Sequence, residues 1–198
     1  VAGVTPGKGG QRVGDLPIYN TVTEAKHAHP EINASSIYAP PAAVRSAAFE
    51  AIQAGIPLVH IIAEEVPLRD SVEILQLAQQ YRVRVVGPAS IGIISPGQSK
   101  IGSIGGPDNR QFRPGSIGII SKSGGMSSEI ALQLTQQGFG QSTVIGIGGN
   151  VIAGTTYADL VDEFENDPQT KAVVVIGEIG GSYEEQLAAK LRTIPNHK

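Results

Sequence analysis

At 198 residues with 40% hydrophobic side chains, the chain has material for one large or two small domains with real cores. A net charge of −3 gives no reason to expect nucleic acid or an anionic membrane as partner, and no apolar run approaches the roughly 20 residues a spanning helix needs. With no cysteine there is no disulfide framework, thiol nucleophile or thiolate metal site; this fits a cytoplasmic protein, and no metal site is expected. The 25 glycines have no collagen-like period and cluster where apolar runs end, as in phosphate- and nucleotide-handling α/β proteins. The chain opens on Val1 without a signal or transit peptide, abruptly enough to suggest a fragment.

In chain order, Pro6-Gly7-Lys8-Gly9-Gly10 reads as a turn whose lysine can offer a point charge to a phosphate. Leu16–Tyr19 is a short extended piece, and Thr23–His29 one or two helical turns. Ser35–Tyr38 reads as a buried strand stopped at Ala39-Pro40-Pro41. Ala42–Ala54 is helical, with Val44, Ala47, Ala48, Ala51 and Ile52 on one stripe. Ile56–Ala63 is a continuous apolar strand ending at Glu64-Glu65, Arg69–Gln80 a helix, and Val83–Val86 a strand ending in Gly87-Pro88-Ala89-Ser90. Such alternation predicts a parallel sheet with right-handed crossovers, and ligands of such sheets bind across the carboxyl ends of the strands.

Ile91–Pro114, punctuated by glycine and proline, breaks the rhythm, so a domain boundary is expected near Pro107, dividing the chain into 1–107 and 108–198. The alternation restarts with strand Ile117–Ile120 and helix Met126–Gln137. Between them, Ser121-Lys122-Ser123-Gly124-Gly125 reads as an anion-binding turn, with Ser127 or Ser128 as the helix cap. Strand Thr143–Ile147, helix Thr156–Asn166, strand Ala172–Ile176 and helix Tyr183–Arg192 follow. The turns at Gly148-Gly149-Asn150 and Gly177-Glu178-Ile179-Gly180-Gly181 should share a rim with the serine turn.

Thr5–Gly10, Gly87–Ser90, Lys100-Ile101-Gly102, Ser121–Gly125, Gly138–Ser142, Gly146–Gly149 and Gly177–Gly181 together resemble the α subunit of succinyl-CoA synthetase and the related part of ATP-citrate lyase, in order along the whole chain. The resemblance implies a Rossmann-like CoA-binding domain followed by a flavodoxin-like ligase domain, both α/β with parallel sheets and flanking helices. It also implies an acid–CoA ligase in which a histidine is phosphorylated, passes the phosphate to the acid, and CoA displaces it from the acyl phosphate. By likeness of position, CoA contacts fall to Lys8, to Tyr38, Ala39 and Pro40, and to Ile62, Ala63 and Glu64. Ser123, Gly124 and Gly125 resemble the element that holds the acid and the phosphoryl group, and Glu178 resembles the glutamate that orients the phosphohistidine.

The family's opening glycine-rich strand and its Gly-His-Ala-Gly segment fall outside these residues, so this chain alone is expected to be inactive. None of its four histidines matches the phosphorylated one: His27 and His29 read as residues of a polar helix, His60 as buried in a strand, and His197 as part of a frayed tail. ATP or GTP with Mg is expected on a β subunit or a β-like ATP-grasp segment, in a hetero-oligomer with no nucleic-acid or membrane partner. The compartment is cytoplasmic, or the mitochondrial matrix in a eukaryote. The acid is citrate or succinate, and the second glycine of Ser123-Gly124-Gly125 favours the larger citrate slightly. A CoA-binding module without catalysis is the rival reading.

Overall fold

The computed structural model describes residues 1–107, 110–195 and 197–198. Its elements are β1 (Gly3–Val4), β2 (Arg12–Val13), β3 (Leu16–Tyr19), α1 (Val22–Ala28), β4 (Ala34–Ile37), α2 (Pro41–Gln53), β5 (Leu58–Ile61), α3 (Leu68–Tyr81) and β6 (Arg84–Val86), followed by β7 (Gly92–Ser95), β8 (Ser99–Gly102), β9 (Pro114–Ser121), α4 (Gly124–Gln136), β10 (Gln141–Gly146), α5 (Tyr157–Asn166), β11 (Ala172–Ile176) and α6 (Tyr183–Leu191). They build three sheets, ordered β1-β3-β2, β4-β5-β6 and β11-β9-β10-β7-β8. The β4-β5-β6 sheet is wholly parallel, and β11, β9 and β10 form the parallel part of the largest sheet. The architecture is α/β.

Local chemistry explains most elements. Ile37, Val59, Ile61 and Val85 share one face of a sheet covered there by α2 and α3, whose Val44, Ala48, Ile52, Ile74 and Ala78 complete one core. Helix α5 begins at a capping box: Thr156 Oγ1 accepts from Asp159 N and Asp159 Oδ2 accepts from Thr156 N. Its apolar stripe, Tyr157, Leu160 and Phe164, packs with Ile120, Ile145 and Ile147, and with Val86 of the other sheet. One core therefore crosses between the two sheets.

The stretch that breaks the strand–helix alternation holds two further strands. Residues 92–95 and 99–102 form a hairpin, turned at Pro96-Gly97, and β7 pairs antiparallel with β10 through Ile94↔Val144 and Gly92↔Gly146. The second sheet thus starts ahead of the boundary expected near Pro107. These strands are short and half polar, and only the exposed edge of β10 makes them strands.

Several contacts weld the two sheets. Gly154 N donates to Gly87 O (2.8 Å), Thr155 Oγ1 to Val85 O (2.5 Å) and Ser90 Oγ to Gly146 O (2.5 Å), and Arg84 pairs with Glu163. His60 contributes from within. It is fully buried, its Nδ1 lies 2.8 Å from Ser36 Oγ and its Nε2 3.0 Å from Ser90 O. A neutral ring that donates from Nε2 to the carbonyl and accepts the serine hydroxyl at Nδ1 satisfies both contacts. Burial pushes its pKa below the ordinary 6.5, against a smaller opposing effect of the Ser90 carbonyl. A depressed folded value means that the unfolded chain takes up the proton first on acidification. The stabilisation is complete above about pH 6.5, the unfolded value, and is lost as pH falls from there through the lowered folded value. Chemical denaturation between pH 7.5 and 5 should show stability falling over that window, and His60→Asn should flatten the slope. A wild-type profile flat over the window would contradict this.

Two other histidine expectations change. His29 ends α1 as its cap residue instead of lying along a polar face, with Nε2 3.2 Å from Tyr19 Oη and Nδ1 3.3 Å from Glu31. The carboxyl end beside His197 is pinned, not frayed: Lys198 Nζ donates to Phe164 O (3.0 Å) and Asp167 O (2.7 Å). His27 is exposed on α1, as expected.

Candidate active site at the strand ends

Parallel strands in register end at one level, and two such levels form here. In the β4-β5-β6 sheet Ile37 pairs with Ile61, so Tyr38-Ala39-Pro40 and Ile62-Ala63-Glu64 emerge side by side. The turn after β6 joins them, Ala89 N donating to Ala63 O (2.9 Å) and Ser90 N to Ile61 O (3.2 Å). Tyr38 is 63% exposed, Ile62 and Ala63 are half-buried, and Glu64 is exposed. An uncovered aromatic ring beside apolar strand-end backbone suits a flat or alkyl group. Lys8 is placed apart from these residues. It is exposed in the turn after β1, where Asn20 Oδ1 accepts from Gly7 N (3.0 Å) and Gly9 N (2.9 Å), and no hydrogen bond or ion pair among the described residues ties it to the β4–β5 level.

In the larger sheet Ser121 is the register partner of both Gly146 and Ile176. The turns after β9, β10 and β11 therefore leave from one rim, as the sequence suggests. Lys122 N donates to Ile176 O (3.1 Å) and Ile147 N to Ser121 O (2.8 Å), knitting them together. Glu178 stands exposed at the third turn, and a methyl placed on Gly149 would lie 3.1 Å from its Oε2. The carboxylate thus covers the Gly149 backbone. Lys122 is only 8% exposed, and its Nζ lies 4.9 Å from the centroid of the Tyr183 ring, a cation–π contact the sequence reading did not foresee.

The cap of α4 also differs from expectation. Ser123 caps it, accepting from Met126 N (3.4 Å), while Ser127 lies inside the helix and donates to Ser123 O (2.7 Å). Gly124 and Gly125 are consequently the first helical residues rather than loop. Their amides belong to the first-turn donors that a helix leaves without intrahelical partners. A side chain at 124 would strike Ile91 Cγ2 at 2.6 Å, whereas one at 125 meets nothing within 4 Å. Between this helix start and the 103–107 loop opens a pocket of about 430 Å³, with Ile91 and Gln111 also on its wall. Lys100 Nζ holds the loop by donating to Gly106 O (2.6 Å). Sequence reasoning missed this wall. The Gly105-Gly106 pair inside the Lys100–Gly106 segment was the available signal.

The two levels face one seam. A methyl on Gly148 would come within 2.1 Å of Pro88 O, so the β10 turn touches the β6 turn directly.

Residues 1–65 match the CoA binding domain family and residues 120–198 the CoA-ligase family. The α subunit of ADP-forming succinate–CoA ligase from Methanothermobacter thermautotrophicus is 47% identical over 189 residues, 96% of this chain and 63% of that protein. The chain thus carries a segment of the CoA binding domain family followed by a segment of the CoA-ligase family. It is also 39% identical over 188 residues to a subunit of an ADP-forming sulfoacetate–CoA ligase from Acholeplasma sp, covering 95% of this chain and 63% of that protein. ATP citrate lyase from Methanothrix soehngenii, solved in complex with citrate and coenzyme A, superposes with a TM-score of 0.85 at 30% identity, over 90% of this chain and 30% of that chain. The chain thus spans a little under two thirds of the length of these curated ligase subunits. Among the described residues no helix is long and apolar enough to cross a membrane.

Proposed function

We propose that this chain is the α-type part of a nucleoside-diphosphate-forming acid–CoA ligase, making an acyl-CoA from citrate or succinate with a slight preference for citrate. The observation that carries the reading is the seam where Gly148 meets Pro88 and Ser90 holds Gly146, because it brings a CoA-suited level and a phosphoryl-suited rim face to face. In this scheme the γ-phosphoryl group passes from the triphosphate to a histidine nitrogen, releasing the diphosphate. A carboxylate oxygen of the acid takes it from the histidine. The CoA sulfur then attacks the acyl carbon, inorganic phosphate leaves, and the thiol proton goes to solvent. The histidine would come from a segment outside this chain, and ATP or GTP with Mg from a β subunit or β-like ATP-grasp segment in a cytoplasmic hetero-oligomer.

Each residue's role follows from its setting. The exposed Tyr38 ring with Ala39, Pro40, Ile62 and Ala63 accepts the base and alkyl parts of CoA, Glu64 its polar edge, and Lys8 a phosphate. The residues present fit CoA, since they offer one aromatic face, apolar backbone and a cation. The Ser123-capped start of α4 directs the Gly124 and Gly125 amides at negative charge, and Glu178 fixes the tautomer of the incoming imidazole.

Calorimetric titration tests the assignment. CoA should bind, and Lys8→Ala should weaken it by roughly tenfold, the scale of one hydrogen bond to a charged group. Gly125→Thr, whose side chain enters open space in the pocket, should weaken citrate more than succinate. Equal CoA affinity in wild type and Lys8→Ala would remove Lys8 from the site.

A further inference from the structure

We infer that Lys122 is the cation that holds the phosphoryl group at the strand-end rim while the incoming histidine carries it. The inference rests on the ligase reading above and deepens it by naming a further binding residue for the transferred group. Lys122 is only 8% exposed, and a lysine so deeply packed is normally paired with an acid. This one is not. Among the described residues its Nζ makes no hydrogen bond or ion pair, and its sole charge contact is the face of the Tyr183 ring at 4.9 Å.

Solvent nevertheless reaches the ammonium. Among the described residues, the fully enclosed side-chain nitrogen and oxygen atoms that lack a hydrogen-bond partner are Gln111 Oε1 and Glu184 Oε1, so Lys122 Nζ, equally unpaired, keeps solvent contact. Its place is fixed by the turns around it. Lys122 N donates to Ile176 O (3.1 Å) just ahead of the β11 turn, while Tyr183 Oη accepts from Ala153 N (3.2 Å) and donates to Val151 O (3.2 Å) in the β10 turn. The ammonium therefore stands where these two turns meet.

Side and charge then narrow the ligand. Along β9, Ile119 packs with Ala131 of α4, whereas Ile120 packs with Tyr157 of α5 in the cluster that Tyr183 borders. Lys122 thus reaches out on the α5–α6 side, and the pocket proposed for the acid opens at α4. The acid leaves it free. What must arrive at this rim is a phosphoryl group with roughly two negative charges at neutral pH. Glu178 repels it, and so does Glu184: burial first, then these two carboxylates, push the pKa of the Tyr157 hydroxyl up. Lys122 is the one cation in the turns 121–123, 148–153 and 177–183. A compact ammonium can meet a phosphoryl oxygen without a fixed fork geometry, which suits a group passed between carriers.

The test uses the full-length protein with its nucleotide-binding partner. Lys122→Met keeps the packed stem and removes the charge, Lys122→Gln is a second neutral variant, Lys122→Arg restores a charge, and melting curves show folding. Phosphorus NMR follows the pH titration of the phosphoryl group on the phosphorylated enzyme, and rapid quench with labelled triphosphate gives the rate of its formation. A neighbouring cation favours the dianion, so the phosphoryl group should titrate at higher pH in Lys122→Met and Lys122→Gln than in wild type, with Lys122→Arg nearer wild type. Formation should slow by roughly tenfold in the neutral variants, the scale of one hydrogen bond to a charged group. A titration that stays in place in the folded neutral variants, whether or not the rate falls, would overturn the role of Lys122 and leave the ligase reading standing. No phosphorylated enzyme and no acyl-CoA formed in wild type would overturn both.

Discussion

Replacing Glu178 by alanine is expected to slow phosphorylation of the complete protein by roughly 100-fold, the usual effect of losing a carboxylate that orients a reacting imidazole. Its melting temperature should scarcely move, because the side chain is exposed and its removal opens no cavity in any of the three cores. The two readouts separate chemistry from folding. On the proposed scheme, an imidazole arriving at this rim without the carboxylate over Gly149 would have no fixed tautomer and would sample unproductive orientations. Labelled phosphate transfer from the triphosphate, followed by rapid quench, measures the step directly. Glu178→Gln should recover part of the rate, since an amide oxygen still accepts the ring N–H. An unchanged rate in Glu178→Ala would show that orientation is set elsewhere.

Gly148→Ala should damage stability and function together. Gly148 adopts φ +94°, a region closed to side chains without strain, and its added methyl would lie 2.1 Å from Pro88 O, a backbone atom. Neither obstacle yields to a rotamer change, so the β10 turn must lift away from the β6 turn. Overpacking of this kind combined with backbone strain costs about 3 kcal/mol or more. The lift also parts the level proposed to hold CoA from the rim that carries Ser123 and Glu178. Urea denaturation should show the lower midpoint, and CoA affinity should fall in the same variant under conditions where it remains folded. Gly125→Thr is the internal contrast, since position 125 has open space and no positive φ, and should keep wild-type stability. Equal stability of Gly148→Ala and wild type would mean that the seam gives way freely.

Much of this was written locally in the chain. The parallel strands β5, β6, β9 and β11 announce themselves as short, mostly apolar runs, because both faces of each are covered and no polar alternation is required. Thr156 with Asp159 marks the start of α5 within four residues, and the glycine turns mark where strands end. From those signals come the α/β class, the order of its elements and the rule that the chemistry lies at the carboxyl ends. The resemblance to a family could be seen because seven motifs occur in one order.

Other features depend on residues far apart in sequence, and no local period reports them. The β7–β8 hairpin exists because β10 has an edge to offer, about 50 residues further on. Ser123 rather than Ser127 caps α4 because β9 delivers the chain there with Ser121 bonded back to Ser123. Lys122, within the turn that reads as anion-binding, is packed on Tyr183, and Gln111, in the stretch that breaks the strand–helix alternation, borders the pocket. Periodicity and capping are decided among neighbours a few residues apart, by covalent geometry and hydrogen bonds that the sequence alone determines. Burial, the seam at Gly148 and the unpaired oxygen of Gln111 arise only when distant segments compete for the same space, and that competition is settled by packing.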